Sequence, residues 1–283
     1  MKPVARTAWY CCGVRALDAA SPKPVCDDQL AVRFMTPEAW KVFEPFRALP
    51  EPNASNVARH RIIDDLLRAR LAERPDTTVI LLGAGFDTRA FRLPGGRWIE
   101  LDEPALLALK EAELPAGSAP SPVDRVAAEF DRQPASEVLA PWRGLVEPVV
   151  VLEGVIPYLS PDELTALLEA VRGSFVRPTL ICDLRTPVFV RRYSARIGRM
   201  LAELGAPYGR MVAEEVPLIE AAGFRLVRRE SVVGRAAELG LLKVPRWLLA
   251  TLLRSLRDGY TIGVFEAGPG PGAADGPGGV PRG

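Results

Sequence analysis

The stretch TVILLGAGFDTRAFRLPGGRWIELDEP, Thr78–Pro104, decides the fold. Its opening run Val79-Ile80-Leu81-Leu82 is short, apolar and bounded, the signature of a strand buried on both faces of a parallel sheet. Gly83-Ala84-Gly85 follow at once, so the strand ends in a tight turn. A second short strand, Trp98–Leu101, ends on Asp102. This is the β-turn-α-β unit of a nucleotide-type site. Glycines let the backbone approach a ligand, and an acid at the tip of the next strand can accept from a pair of ribose hydroxyls.

Spacing separates the ligands such a unit can take. A dinucleotide fingerprint needs a third small residue where the pyrophosphate meets a helix N-terminus. Thr88 stands there, preceded by Asp87, whose carboxylate repels a pyrophosphate but tolerates a cationic ligand. S-adenosyl-L-methionine carries a ribose, a sulfonium and an α-ammonium, and no phosphate. A lone Gly-x-Gly can also be only a strand-helix turn. Asp102 at the next strand tip favours the cofactor reading.

Three motifs in order, GAGFDTRAFRL, IELDEP and VVLEGVIPYLSPDEL, resemble the leucine carboxyl methyltransferase family, including its bacterial polyketide O-methyltransferase branch. The resemblance runs from about Ala5 to Thr186 and fades toward the C-terminus. It implies a Rossmann-like class I methyltransferase sheet, α/β and mostly parallel, under an N-terminal helical cap. It also implies roles for particular residues. Arg59 matches the family arginine that holds the cofactor carboxylate, a sensible use of a bidentate guanidinium. Arg6 is a second candidate, and Arg61 reads as solvated. Glu153, straight after the strand Val149–Leu152, matches a cofactor-contacting glutamate. At the end of the weaker strand Val123–Phe130 the family has an Asp-Leu pair framing adenine. Glu129 and Phe130 stand there instead, with Asp131 as a third possibility. Tyr158 faces either substrate or core.

The remaining composition narrows the classes. A chain of 283 residues suits one large α/β domain plus a cap. A net charge of +1 gives no bulk attraction for nucleic acid or membrane surfaces. Cys11, Cys12, Cys26 and Cys182 lack Cys-x-x-Cys spacing and His60 is the only histidine, so no metal is expected and a reduced, cytoplasmic setting is. No apolar run reaches the roughly 18 residues that span a bilayer. There is no signal-peptide core and no internal repeat.

Helices are expected over residues 5–20, 27–35 and 37–46, a loop over 50–56, and an amphipathic helix over 57–73 with Ile62, Ile63, Leu66, Leu67 and Leu71 on one face. Ser160-Pro161-Asp162-Glu163 is a capping box opening another helix. Further on, the pattern suggests a strand at 179–183, a helix over 188–204 and a helix over 212–222. Last come a strand at 224–232, one or two helices within 236–256 and a strand at 260–266. Arg191, Arg192, Arg196 and Arg199 read as a solvated face, or as a patch steering an anionic substrate. The organisation expected is a cap (1–56), a cofactor-binding α/β domain (57–267) and a disordered Gly/Pro-rich tail (268–283).

The expected reaction is transfer of a methyl group from S-adenosyl-L-methionine to an oxygen of a small molecule such as a polyketide, either a carboxylate or a phenol. A phenol is mostly protonated at neutral pH and wants a base, whereas a carboxylic acid is already ionised. With one histidine, the sequence leans to the carboxylate, and no residue is assigned as a catalytic group. Three alternatives stand beside it: a protein carboxyl methyltransferase, a nicotinamide-dependent oxidoreductase and a non-catalytic binding protein. A homo-oligomer is compatible with the sequence.

Overall fold

The computed structural model describes residues 3–267 apart from 131, 207 and 212. Seven strands form one sheet in the order β3-β2-β1-β4-β5-β7-β6. They are β1 (Thr78–Leu82), β2 (Arg97–Asp102), β3 (Val123–Ala127), β4 (Val149–Leu152), β5 (Thr179–Arg185), β6 (Phe224–Ser231) and β7 (Tyr260–Ala267). The first five run parallel. β7 inserts between β5 and β6, antiparallel to both. The strand order turns back on itself between β1 and β4, where an open α/β sheet gathers its ligand at the carboxyl ends.

The aliphatic runs behave as double-sided strands. Val79, Leu81, Val149 and Val151 pack into one layer, and Ile80, Leu82, Val150 and Leu152 into the opposite one. Helix α3 (Pro50–Glu73) covers the first layer with Ile62, Ile63, Leu67 and Leu71. The helix Pro161–Ser174 covers the second, and its N-terminus is the capping box read from the sequence, Ser160 accepting from the Glu163 N–H. A third apolar cluster lies under the cap, built on α1 (Pro3–Ala19) and α2 (Pro37–Arg47) with Phe43 and Phe46 at its centre.

Several expected boundaries move. α3 runs Pro50–Glu73, so residues 50–56 are helix and not loop, and the cap boundary expected at 56 falls inside it. Pro50 at the first turn is the reason: its fixed φ suits that position and its missing N–H costs nothing there. The helix expected over 188–204 is two, Pro187–Tyr193 and Ala195–Glu203, broken at Ser194. The expected 27–35 helix is a short 3-10 turn, Ala31–Phe34. The helix expected over 212–222 begins later, at Glu215. The helix after β6 starts at Val232, because the Ser231 hydroxyl caps it by accepting from Gly234 N–H. Among the described residues no helix is long and apolar enough to cross a membrane. The tail 268–283 and Asp131 lie outside the described residues.

Candidate active site

One cavity of about 970 Å³ opens at the carboxyl edge of β1, β2, β4 and β5, roofed by α1. Its first wall is the glycine turn. Gly83 and Gly85 hold φ of +75° and +51°, the left-handed region that glycine reaches without strain. At Gly83 a Cβ would also meet Val155 Cγ2 at 2.7 Å. At Gly85 the space stays open, with Ala8 of the cap 3.6 Å from a would-be Cβ.

Asp102 closes this corner. Leu82 pairs with Leu101, so the acid sits just beyond the last rung and reaches back across the turn. Its Oδ2 accepts from Gly85 N–H and its Oδ1 from Glu103 N–H, both at 2.7 Å. Burial pushes the carboxyl up and these two N–H groups pull it back. Each carboxylate oxygen takes two donors, so both retain a lone pair for ligand hydroxyls. Glu129 and Phe130 line the same cavity just past β3.

A buried lattice of arginines and acids forms the floor. Arg89 is fully enclosed. Its Nε lies 2.6 Å from Asp64, its Nη1 lies 2.5 Å from Asp87 and 2.8 Å from Glu153, and its Nη2 lies 2.7 Å from His60 Nδ1. His60, Asp87 and Glu153 offer ligand atoms within 4.8 Å of one another, a spacing that would suit a metal ion. Arg89 bonds all three, so the cation at their centre is a guanidinium. Arg92 adds contacts to Asp64 at 2.9 Å and to His60 Nε2 at 2.8 Å. Burial would raise the Glu153 carboxyl, but Arg89, His60 and Arg59 hold it well below the usual range. Burial and Arg89 push His60 down, so it is neutral at pH 7. His60 is 1% exposed and lies behind the cavity wall.

Arg59 joins floor to cavity. Its Nε donates to Glu153 at 3.0 Å and its Nη1 to the Tyr260 hydroxyl at 3.2 Å. Nη2 touches only the Cys11 sulfur, at 3.5 Å, among the described residues. Asp183, at the end of β5, lies 3.6 Å from Nη1 and accepts from Gly154 N–H at 2.6 Å.

The structure therefore brings Arg59, Gly83, Gly85, Asp102, Glu129, Phe130, Glu153 and Tyr158 to one cavity. It does not bring Arg6, which is exposed on α1 while its neighbours Thr7 and Ala8 line the wall. Tyr158 sits edge-on to Tyr208 with ring centres 5.5 Å apart, and burial pushes its phenol up. Of the four-arginine cluster, Arg192 and Arg196 line the cavity and all four are exposed. The four cysteines are free thiols. Sequence reasoning assigned no role to Arg89, Arg92, Asp183, Arg185 or Tyr260, and read Asp87 only as a carboxylate that repels a pyrophosphate. The signal for Arg89 and Arg92 was present: two arginines three apart, soon after a glycine turn at the end of a buried strand, need acids beside them if they are buried.

The leucine carboxyl methyltransferase profile matches residues 8–172. A Parafrankia protein provisionally named as an S-adenosyl-L-methionine-dependent methyltransferase is 38% identical over 182 residues, 59% of this chain and 58% of that protein. The tetracenomycin polyketide synthesis O-methyltransferase TcmP of Streptomyces glaucescens is 26% identical over 202 residues, 69% of this chain and 70% of that one. The chain thus spans about three fifths of the length of the first of these curated relatives. Among solved structures, a Thermobifida fusca protein provisionally described as a methyltransferase aligns with a TM-score of 0.59 at 17% identity, over 90% of this chain and 94% of that one. A DUF574 family protein from Streptomyces avermitilis aligns at 0.58 and 17%, over 82% and 91%. These two likenesses carry the fold alone. The profile covers more than half of the sequence, and the chain belongs to the leucine carboxyl methyltransferase family.

Proposed function

We propose that this protein binds S-adenosyl-L-methionine in the 970 Å³ cavity and catalyses transfer of its methyl group to an oxygen of a small molecule, a carboxylate in preference to a phenol. The observation that carries the reading is Asp102 held against the Gly83–Gly85 turn. The corner offers acceptors for a ribose diol and a backbone path free of Cβ atoms at Gly85. Arg59, with Nη2 free of any oxygen partner among the described residues, suits the cofactor carboxylate. Glu129 and Phe130 suit the adenine, by accepting from its amino group and by stacking. Family membership and the names of the relatives support the same cofactor.

When bound, the sulfonium supplies an activated methyl group and leaves as a neutral thioether. The protein's part is then positioning and exclusion of water, which alone lowers a barrier by several kcal/mol. Glu153 works from behind, as the counter-ion that fixes Arg59. His60 is sealed and neutral, so no histidine stands ready to deprotonate a phenol. A carboxylate needs no such base. A polyketide-type acid is a suitable acceptor, since TcmP acts in polyketide synthesis. A cavity this large sits at the top of the roughly 300–1,000 Å³ typical of one small-molecule site, leaving room for an acceptor beside the cofactor. Calorimetric titration with S-adenosyl-L-homocysteine and, separately, with NADH tests the reading. Tight binding of the first and none of the second is expected. The reverse would replace it with the oxidoreductase reading.

A further inference from the structure

On the side of β5 the same cavity has a stretch of apolar wall, here called its second lobe. Phe189, Tyr193, Ile197, Leu201 and Leu256 line it, contributed by the segments that follow β5 and by the region before β7. That lobe is apolar, yet one buried cation is set into its wall. Arg185, the last residue of β5, has 8% of its side chain exposed and lines the cavity. Its Nη1 donates to the Tyr208 hydroxyl at 2.7 Å, and the guanidinium lies over the Tyr208 ring at 5.6 Å. Tyr208 in turn meets Tyr158 edge-on. These contacts fix the planar group in one orientation. Its Nε is buried without a hydrogen-bond partner among the described residues. Buried guanidinium hydrogens with no acceptor are rare, and each one calls for an explanation.

The counter-charge is weaker than the count of acids suggests. Glu215 lies 3.6 Å from Arg185 Nη2, but its Oε2 is taken by the Arg185 backbone N–H at 2.6 Å. Burial pushes its carboxyl up to about 7 against the pull of Arg185, so near neutrality it carries a partial charge. Asp183, the other acid near it, is committed to Gly154 N–H and lies closer to Arg59. Burial pushes the nearby Tyr158 and Tyr260 phenols up, so they bring no negative charge to this group at pH 7. Arg185 is therefore a positioned cation in an apolar acceptor lobe, with residual charge to give.

We infer that Arg185 is the acceptor's anchor: it pairs with an anionic oxygen group on a ligand whose body is apolar or aromatic, and so selects apolar carboxylic acids as acceptors. The inference rests on the proposed methyl transfer, since it assigns the second lobe to the second substrate. Tyr208 is a positioning residue that aims the guanidinium. Arg192 and Arg196, exposed at the same lobe, add a positive approach.

The test uses the full chain saturated with S-adenosyl-L-homocysteine and two probes of one shape, 2-naphthoate and 2-naphthamide. The wild type should bind the carboxylate about 10- to 100-fold more tightly than the amide, the range for charge-assisted hydrogen bonds. Arg185→Gln should erase that preference while leaving amide binding and homocysteine-cofactor binding unchanged. If Arg185→Gln does not fold, Arg185→Lys serves: it keeps the charge, loses the fork, and should lose part of the preference. Tyr208→Phe should give an intermediate loss. An unchanged carboxylate preference in either folded Arg185 variant overturns the inference, as does a wild type that prefers neither probe. Failure of the cofactor product to bind at all would instead strike the methyltransferase reading, so the two failures are distinguishable.

Discussion

Gly85 donates its backbone N–H to Asp102 Oδ2 at 2.7 Å, tying the tip of β2 to the turn that follows β1. The contact aims the carboxylate into the cavity before any ligand arrives. Asp102→Ala should therefore weaken S-adenosyl-L-homocysteine binding by about 10- to 100-fold, the value of hydrogen bonds to a charged group. Calorimetry on a folded variant with unchanged affinity would remove Asp102 from the site.

Arg59 should respond to the cofactor's own carboxylate. Arg59→Lys loses the fork and with it part of the affinity. Decarboxylated S-adenosyl-L-methionine should bind wild type and Arg59→Ala about equally. Equal penalties on both ligands would show that Arg59 acts through Glu153 and the floor rather than on the ligand.

Arg89 is the keystone of the floor. Arg89→Met leaves Asp64, Asp87 and Glu153 buried without their shared cation. Removing one partner of a buried pair costs about 3–5 kcal/mol, which should appear as a large drop in the urea midpoint. A loss below about 1 kcal/mol would mean the lattice is better hydrated than its burial indicates.

The same lattice sets an acid limit. Burial would raise Asp28, Asp64 and Glu153, but each is held below its ordinary range by its arginine neighbours: Arg15 and Arg92 for Asp28, Arg89 and Arg92 for Asp64, and Arg89 and Arg59 for Glu153. A carboxylate with a depressed native pKa stabilises the fold above its unfolded value of about 4 and loses that stabilisation as pH falls toward the native value. His60, pushed down by burial and Arg89, adds to the slope from about pH 6.5 downward, since the unfolded chain takes the proton first. Stability should therefore fall as pH drops below about 6.5 and more steeply below about 4, and Asp64→Asn should flatten the steep part. Equal slopes in wild type and variant would contradict the assignment.

Glu215 gives the opposite sign at the acceptor lobe. As pH rises through about 7 its carboxyl ionises and cancels more of the Arg185 charge. Turnover at saturation should stay nearly flat from about pH 6 to 9, because no histidine lines the cavity. The kcat/KM for an anionic acceptor should fall above pH about 7, and Glu215→Gln should remove that fall. A bell-shaped kcat would point to a protein base.

How much of this was legible follows from what each residue depends on. β1, β2 and β4 could be read directly because an aliphatic run ending in glycine or acid is a local pattern. The residues at those strand tips converge because parallel strands share one carboxyl edge. Arg89 was within the quoted motif, but its partners Asp64, Asp87 and Glu153 lie partly on other elements, and no local spacing announces such pairings. Arg185 and Glu215 are likewise 30 residues apart. The start of α3 was hidden because the polar run PEPNASN has loop composition, although its proline marks a first turn. The C-terminal helices were read least well, since short helices carry too few turns to show a period. Arg6 shows the converse: it shares a helix with cavity residues, and one step along the helix turned it to solvent.

The most direct measurement is mass spectrometry of a metabolite extract incubated with the protein and S-adenosyl-L-methionine labelled with a deuterated methyl group. The account predicts a small-molecule product heavier by one deuteromethyl group, formed from an apolar acid and returned to that acid by mild base, as a methyl ester must be. A base-stable labelled ether, label found on protein alone, or no labelled product despite cofactor binding would contradict it.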